Sequence, residues 1–324
     1  SGGIWKTTNG GTSWTNVGDN LASLTYGAIA IDPNNPNTVY AGAGEILFNF
    51  GPFIYEGQGL YKTSDAGTTW IQVTSGFGNA THFGDLQVSN HNSNFIFAAL
   101  GSGYWHRGNL SNEGIWRSTD AGVSWTRTLN VIDAFDVIVH PTSSTTVYAA
   151  TGGGVTSAGF YVSTNSGASW TQSNTGLPAA TSIRRIQISI SNSTPTTVYA
   201  LIHTTGSTPI AYKSTNGGTN WSQISSGIPL GGNWGSGWIT QGGYDLCIAA
   251  NPSNANHVIV GNIELHQTTN GSTFAVQRVG AASNAWDCPI HVDLHRIVFA
   301  PSNSNTIYIG CDGGVYKSTD GGTT

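Results

Sequence analysis

The sequence lacks methionine altogether and is poor in charge and cysteine. Only 8% of its 324 residues are Asp, Glu, Lys or Arg, against about 25% in ordinary soluble proteins. Eleven basic and sixteen acidic residues leave a net charge of −5. No basic run exists, which argues against a nucleic-acid partner. No apolar run approaches the ~20 residues of a membrane-spanning helix. No serine or cysteine nucleophile motif, phosphate loop or dinucleotide fingerprint occurs, so no cofactor is expected. No signal peptide is visible, and the chain starts in mid-pattern with SGGIWKTTNGG. That start reads as a mature or trimmed piece of a longer chain. Cys247, Cys288 and Cys311 allow one disulfide and one free thiol, or a reduced set. For a disulfide, Cys288–Cys311 is the expected pairing, with Cys247 as the alternative partner. The low charge and hydroxyl-rich composition favour an extracellular setting.

What is abundant is glycine (44 residues), with Ser, Thr and Asn. That composition suits strands joined by tight turns. A repeat orders it. Trp14, Trp70, Trp125, Trp170 and Trp221 close the boxes TTNGGTSW, TSDAGTTW, STDAGVSW, STNSGASW and STNGGTNW. A sixth box ends at Phe274, and a seventh, STDGGTT, at Thr324. The intervals run from 45 to 56 residues. A period near 50 points to a propeller or a solenoid. Each period holds an apolar alternation ending in a polar turn, a run such as TVYAATG, a variable segment, a run such as GIWRSTD, then the box and a last short strand. That is four strands per unit, with two-residue alternation and no convincing helix. Four-stranded units around an axis are propeller blades.

The boxes lie between the third and fourth strands. Their acid or amide positions are Asn9, Asp65, Asp120, Asn165, Asn216 and Asp320. A side-chain oxygen there accepts from nearby backbone N–H groups, and the following glycine takes a positive φ. The closing Trp is expected to pack into its own blade. Asn and Asp exchange freely between copies, which a general acid or base does not tolerate. These residues are therefore turn fasteners.

The pattern S/T-x-D/N-x-G-x-T/S-W resembles the Asp-box, or BNR repeat, of a β-propeller superfamily, over essentially the whole chain. That superfamily includes sialidases, xyloglucan-cleaving glycosidases, sortilin-type receptors and secreted bacterial propellers. QGGYDLCIAANPSNANHVIVGN and HVDLHRIVFAPSNSNTIYIGCDGGVYKSTDGG look like secreted propellers of Bacteroidetes. The resemblance implies type IX secretion. The expected fold is an all-β propeller of four-stranded blades, seven-bladed and forming one domain over 1–324. It has a partial blade at 1–20, blades at about 26–77, 83–131, 134–178, 183–228 and 244–280, and a partial blade at 291–324. By the family's pattern the boxes lie on the face opposite the ligand-binding one.

Function is therefore sought in the variable segments, where loops are free to carry it. Tyr104, Trp105, His106 and Arg107 form one cluster; Trp234 and Trp238 sit among glycines; Trp286 adjoins Asp287. None of these tryptophans belongs to the repeat. They suit stacking on a sugar or a hot spot for a protein partner, or they plug the mouth of the channel. In HVDLH, an extended strand would put His291, Asp293 and His295 on one face, a candidate metal set with Asp312 as fourth ligand. Three such residues span ~13 Å on a straight strand, so a structural hydrogen-bond network is the favoured reading.

Catalysis finds less support. The seven arginines include no Arg-Ile-Pro element, so sialidase activity is not expected. Glycoside hydrolysis needs two carboxylates across a cleft. Asp85, Asp136, Asp245, Asp287, Asp293, Glu45, Glu56 and Glu113 are candidates, and nothing in the sequence pairs any two. Asp85 and Asp136 share one register of their first strands. The expectation is a secreted or cell-surface, non-catalytic propeller that binds a glycan or an extracellular protein through its aromatic loops. The alternatives are a xyloglucanase-like glycoside hydrolase and a subunit of a self-assembling surface layer.

Overall fold

The computed structural model describes residues 2–46, 56–78, 81–102, 112–205, 208–224, 241–276 and 290–324. Compactness divides the chain into two units: Ser1–Gly153 with Phe160–Gln172, and Gly154–Gly159 with Ser173–Thr324.

The first unit begins with a two-stranded ribbon, β1 (Trp5–Lys6) and β2 (Thr15–Asn16). Three four-stranded antiparallel meanders follow. They are β3 (Tyr26–Ile31), β4 (Val39–Ala43), β5 (Leu60–Thr63) and β6 (Ile71–Val73); then β7 (Phe83–Val88), β8 (Ile96–Leu100), β9 (Gly114–Ser118) and β10 (Thr126–Leu129). The third is β11 (Ala134–Val139), β12 (Val147–Thr151), β13 (Gly159–Ser163) and β14 (Thr171–Gln172). The second unit holds the meander β15 (Ile183–Ile190), β16 (Val198–Thr204), β17 (Ile210–Ser214) and β18 (Ser222–Gln223). Next comes β19 (Cys247–Asn251), β20 (Asn254–Gly261), β21 (Leu265–Thr268) and β22 (Ala275–Val276). A three-stranded sheet, β23 (Leu294–Ala300), β24 (Asn303–Cys311) and β25 (Gly314–Ser318), ends it.

Sheets stack through their first strands. In the first unit β3 lies beside β7, and β7 beside β11. In the second, β15 lies beside β19, and β19 beside β23. The core fills the spaces between sheets. Leu86 and Val88 of β7 pack with Tyr40 and Leu60 of the preceding sheet, while Leu265 and Ile259 pack with Leu294, Ile297 and Phe299 of the following one. The flanked first strands β7 and β19 are buried at most of their positions, because both of their faces are covered.

The described residues form six blades and not the expected seven. The ribbon β1–β2 brings no first strand to lie beside β3. Ile29 and Ile31 of β3 are 54% and 60% exposed, whereas Leu86 and Val88, at the same register of β7, are buried.

The turns between third and fourth strands show why Asp and Asn alternate there. Asp120 Oδ1 accepts from Ser118 Oγ at 2.8 Å and the Ser124 N–H at 2.8 Å, and its Oδ2 accepts from Ser124 Oγ. Asn165 makes the same bonds with Ser163 and Ser169, its Nδ2 now donating to Ser169 Oγ at 2.9 Å. The hydroxyl switches from donor to acceptor, and no proton on the acid is needed. Two successive residues are left-handed in most of these turns, such as Ala121 (φ 57°) and Gly122 (φ 83°), and one, Gly271, in the turn after β21. The alanine carries strain that the surrounding bonds offset.

Trp70, Trp170 and Trp221 depart from expectation, because they staple neighbouring sheets, whereas Trp125 bonds to Gly122 O of its own turn. Trp70 Nε1 donates to Val17 O at 2.8 Å, and Trp170 Nε1 to Thr128 Oγ1 at 3.0 Å. Tyr40 and Lys62 likewise donate to Ala121 O in the next turn, at 2.9 and 2.8 Å. A fixed turn with an outward carbonyl is a docking point for the sheet before it.

Candidate active site

Strand order in a meander puts the start of the first strand and the end of the second at one end of the sheet, and the box turn at the other. In the second unit three carboxyls meet at the end away from the turns. Asp245 precedes β19, Asp293 precedes β23, and Asp312 follows β24. Backbone bonds fix their places. The Leu294 N–H donates to Asn262 O at 2.8 Å, the Asp293 N–H to Ile263 O at 3.2 Å, and the Asp312 N–H to Asp293 O at 3.2 Å. Asp293 is left-handed (φ 66°). A bulge between Leu294 and Arg296 follows, with His295 as the extra residue. Bulges re-aim side chains at such rims.

That irregularity corrects the reading of HVDLH. The strand begins only at Leu294, so His291, Asp293 and His295 do not share an extended face. His291 lies against Gly313, and its Nδ1 bonds to Val292 O at 2.9 Å. Among the described residues no three His, Cys, Asp or Glu side chains are arranged to hold a metal ion. The expected neighbour Asp312 is nevertheless there, 2.7 Å from His295 Nε2.

His295 stands between two acids. Its Nδ1 is 3.5 Å from Asp245 Oδ1, and its Nε2 faces Asp312. Tyr244 packs edge-on against the imidazole with centroids 4.9 Å apart. Asp312 is 45% exposed and His295 29%, while Asp245 is fully buried. Gln241 Nε2 donates to Asp293 Oδ1 at 3.3 Å. Burial, then the Asp293 carboxylate and the hydrogen bond shared with it, push the Asp245 carboxyl up to about 9. The Arg185 guanidinium opposes this, and Asp312 adds to it. The environment of Asp245 thus favours the protonated carboxyl, beside a more exposed one and with a third acid across an imidazole. Such a division of protonation marks a site able to give and take protons.

The other candidates fare differently. Tyr104, Trp105, His106, Arg107, Trp234, Trp238, Trp286, Asp287 and Cys288 lie outside the described residues. Cys247 and Cys311 carry free thiols; the expected Cys288–Cys311 pairing involves Cys288, which lies outside the described residues. Cys247 is buried, and its thiol instead donates to Leu294 O at 3.6 Å. In the first unit Asp85 and Asp136 are buried on the adjacent strands β7 and β11. Glu113 is a buried fastener that accepts from Ser102 Oγ at 2.8 Å and the Asp133 N–H at 3.2 Å. The sequence reading missed Tyr244, Gln241 and the pairing of Asp245 with Asp293. The available signal was the rim rule: a residue before one first strand meets the residue before the next.

Comparison with known proteins gives three findings. The family model described as sortilin, neurotensin receptor 3 matches residues 113–273. A xyloglucanase of Hypocrea jecorina is 29% identical over 155 residues, which is 44% of this chain and 17% of that protein. A xyloglucanase of Paenibacillus is 27% identical over 146 residues, 39% of this chain and 13% of that protein. Among solved structures, a Niastella koreensis GH74 enzyme superposes with a TM-score of 0.68 at 22% identity, covering 98% of this chain and 49% of that one. The GH74 xyloglucanase of Xanthomonas campestris gives 0.70 at 17% identity, covering 99% and 49%. The chain therefore spans less than a fifth of these curated relatives and about half of the solved enzymes. These relatives are glycoside hydrolases by name. They overturn the expectation of a non-catalytic binding or structural propeller, and with it the leaning against an enzyme. The resemblance to sortilin-like and xyloglucanase-like propellers holds, and the fold is an all-β propeller of four-stranded blades.

Proposed function

We propose that this chain carries acid–base machinery of a glycoside hydrolase acting on a xyloglucan-like polysaccharide. The observation that carries the reading is the fully buried Asp245 beside Asp293, with Asp312 on the far side of His295. Asp245 lies beside Asp293 at this rim, and the proton on its raised carboxyl is the one the site can give. Asp293, the more exposed partner, delivers it to the glycosidic oxygen, and Asp245 replenishes it. Asp312, held by His295, takes the proton from the attacking water. The box turns fix the blades from the opposite end of each sheet and take no part in the chemistry. A polymeric substrate would require the protein to act outside the cell, which fractionation of producing cells would check.

The test is release of reducing ends from xyloglucan by wild type, Asp312→Asn and Asp293→Asn, with Asp120→Asn as a folded control. Hydrolysis by wild type and the control, lost in the other two, supports the reading. A wild type that cleaves no β-glucan, or site variants as active as the control, would overturn it.

A further inference from the structure

One cation enters the acid cluster from the neighbouring sheet. Arg185 lies just past the bulge of β15, between Ile183 and Arg185, and is half-buried. Its Nη1 donates to Gly243 O at 3.1 Å and Tyr244 O at 2.5 Å, and its Nη2 to Leu246 O at 3.5 Å. One guanidinium therefore gathers the carbonyls on both sides of Asp245. The turn itself is tight: the Tyr244 and Asp245 N–H groups both donate to Gln241 O, at 2.7 and 2.8 Å. Gly242 has no room for a side chain, since a Cβ there would meet His203 Nδ1 at 2.7 Å. Asn262 Nδ2 donates to Asp245 O and closes the far side.

We propose that Arg185 is a positioning residue, clamping the 243–246 turn so that the Asp245 carboxyl is aimed at Asp293 and His295. Arginine suits this work because its planar fork supplies several donors in fixed directions, while lysine offers a point charge. The guanidinium is also a positive charge acting on Asp245, whose other charged neighbours are Asp293, Asp312 and, at 3.5 Å, His295. Arg296 follows His295 on β23 and acts on Cys247. Arg185 acts through Asp245 and is assigned no contact with substrate. The effect on rate rests on the hydrolase reading; the effect on the turn does not.

The experiment compares wild type, Arg185→Lys and Arg185→Met by amide hydrogen exchange and by kinetics on xyloglucan. With the clamp gone, exchange across 241–247 should quicken by about tenfold in Arg185→Met while β11 keeps its protection. In the same variant kcat should fall about tenfold or more with KM within about twofold, since misplacement of an acid harms the chemical step more than binding. Arg185→Lys should recover part of both. Unchanged exchange at 241–247, or exchange raised equally in β11, would overturn the proposal. Were the wild type inactive on xyloglucan, the hydrolase reading would fall and the exchange data would still decide this one.

Discussion

The two ends of each sheet use aspartate in opposite ways. At the turn end, Asp65 and Asp120 lie in water and accept hydrogen bonds from the turn, which hold their carboxyls down to about 2. At the other end, Asp245 is buried beside Asp293 and pushed up to about 9. The residue type is the same. Donors and solvent make one a permanent anion, while burial and a neighbouring acid make the other a proton store. An aspartate's job here is set by which end of a strand it occupies, not by the motif around it.

The largest break in this comparison should come from Asp312→Asn, which removes the proposed base. The kcat/KM on xyloglucan should fall about a hundredfold or more with the fold intact by circular dichroism. Asp245→Asn should also abolish activity, yet change stability in a distinctive way. Its folded value is raised, so the stability it contributes is complete below about 3.8 and is lost as pH rises through about 9, by up to ~1.4 kcal/mol per unit. The Asn variant should therefore melt higher than wild type at pH 8–9, in a thermal scan repeated across pH. The opposite outcome is expected at the turns. Asp120→Ala should lower Tm by several degrees and leave kcat unchanged, whereas Asp120→Asn should be nearly silent, as Asn165 already demonstrates.

A smaller effect is expected at His266. It sits on β21 opposite Val260, at the register that Tyr61 and Tyr212 hold in other sheets. It is fully buried, neither nitrogen has a partner among the described residues, and burial lowers its value to about 4. Its contribution is present above about 6.5 and lost as pH falls towards 4. His266→Tyr should flatten the acid side of the stability curve and leave the alkaline side alone.

The repeat was legible because turn chemistry is local: a hydroxyl, an acid or amide and a glycine within five residues suffice to state the hydrogen bonds. Strand order followed from two-residue alternation. The Trp staples were not legible, since Trp70 and Val17 lie in different repeats and only the stacking of sheets joins them. The acid cluster was half visible. Asp312 beside His295 followed from adjacent strands of one sheet. Asp245 meeting Asp293 did not, because it depends on two successive sheets bringing their first strands together. The straight-strand reading of HVDLH failed at a left-handed Asp293 and a bulged His295, which alternation has no means of signalling.

The most direct measurement is a carbon-13 titration of the aspartate carboxyls, with Asp245 and Asp120 assigned by substitution. The account expects Asp120 to titrate near 2 and Asp245 to stay protonated through neutral pH, changing only towards about 9. An Asp245 already ionised at pH 6 would contradict it, because the site would then hold no proton to give.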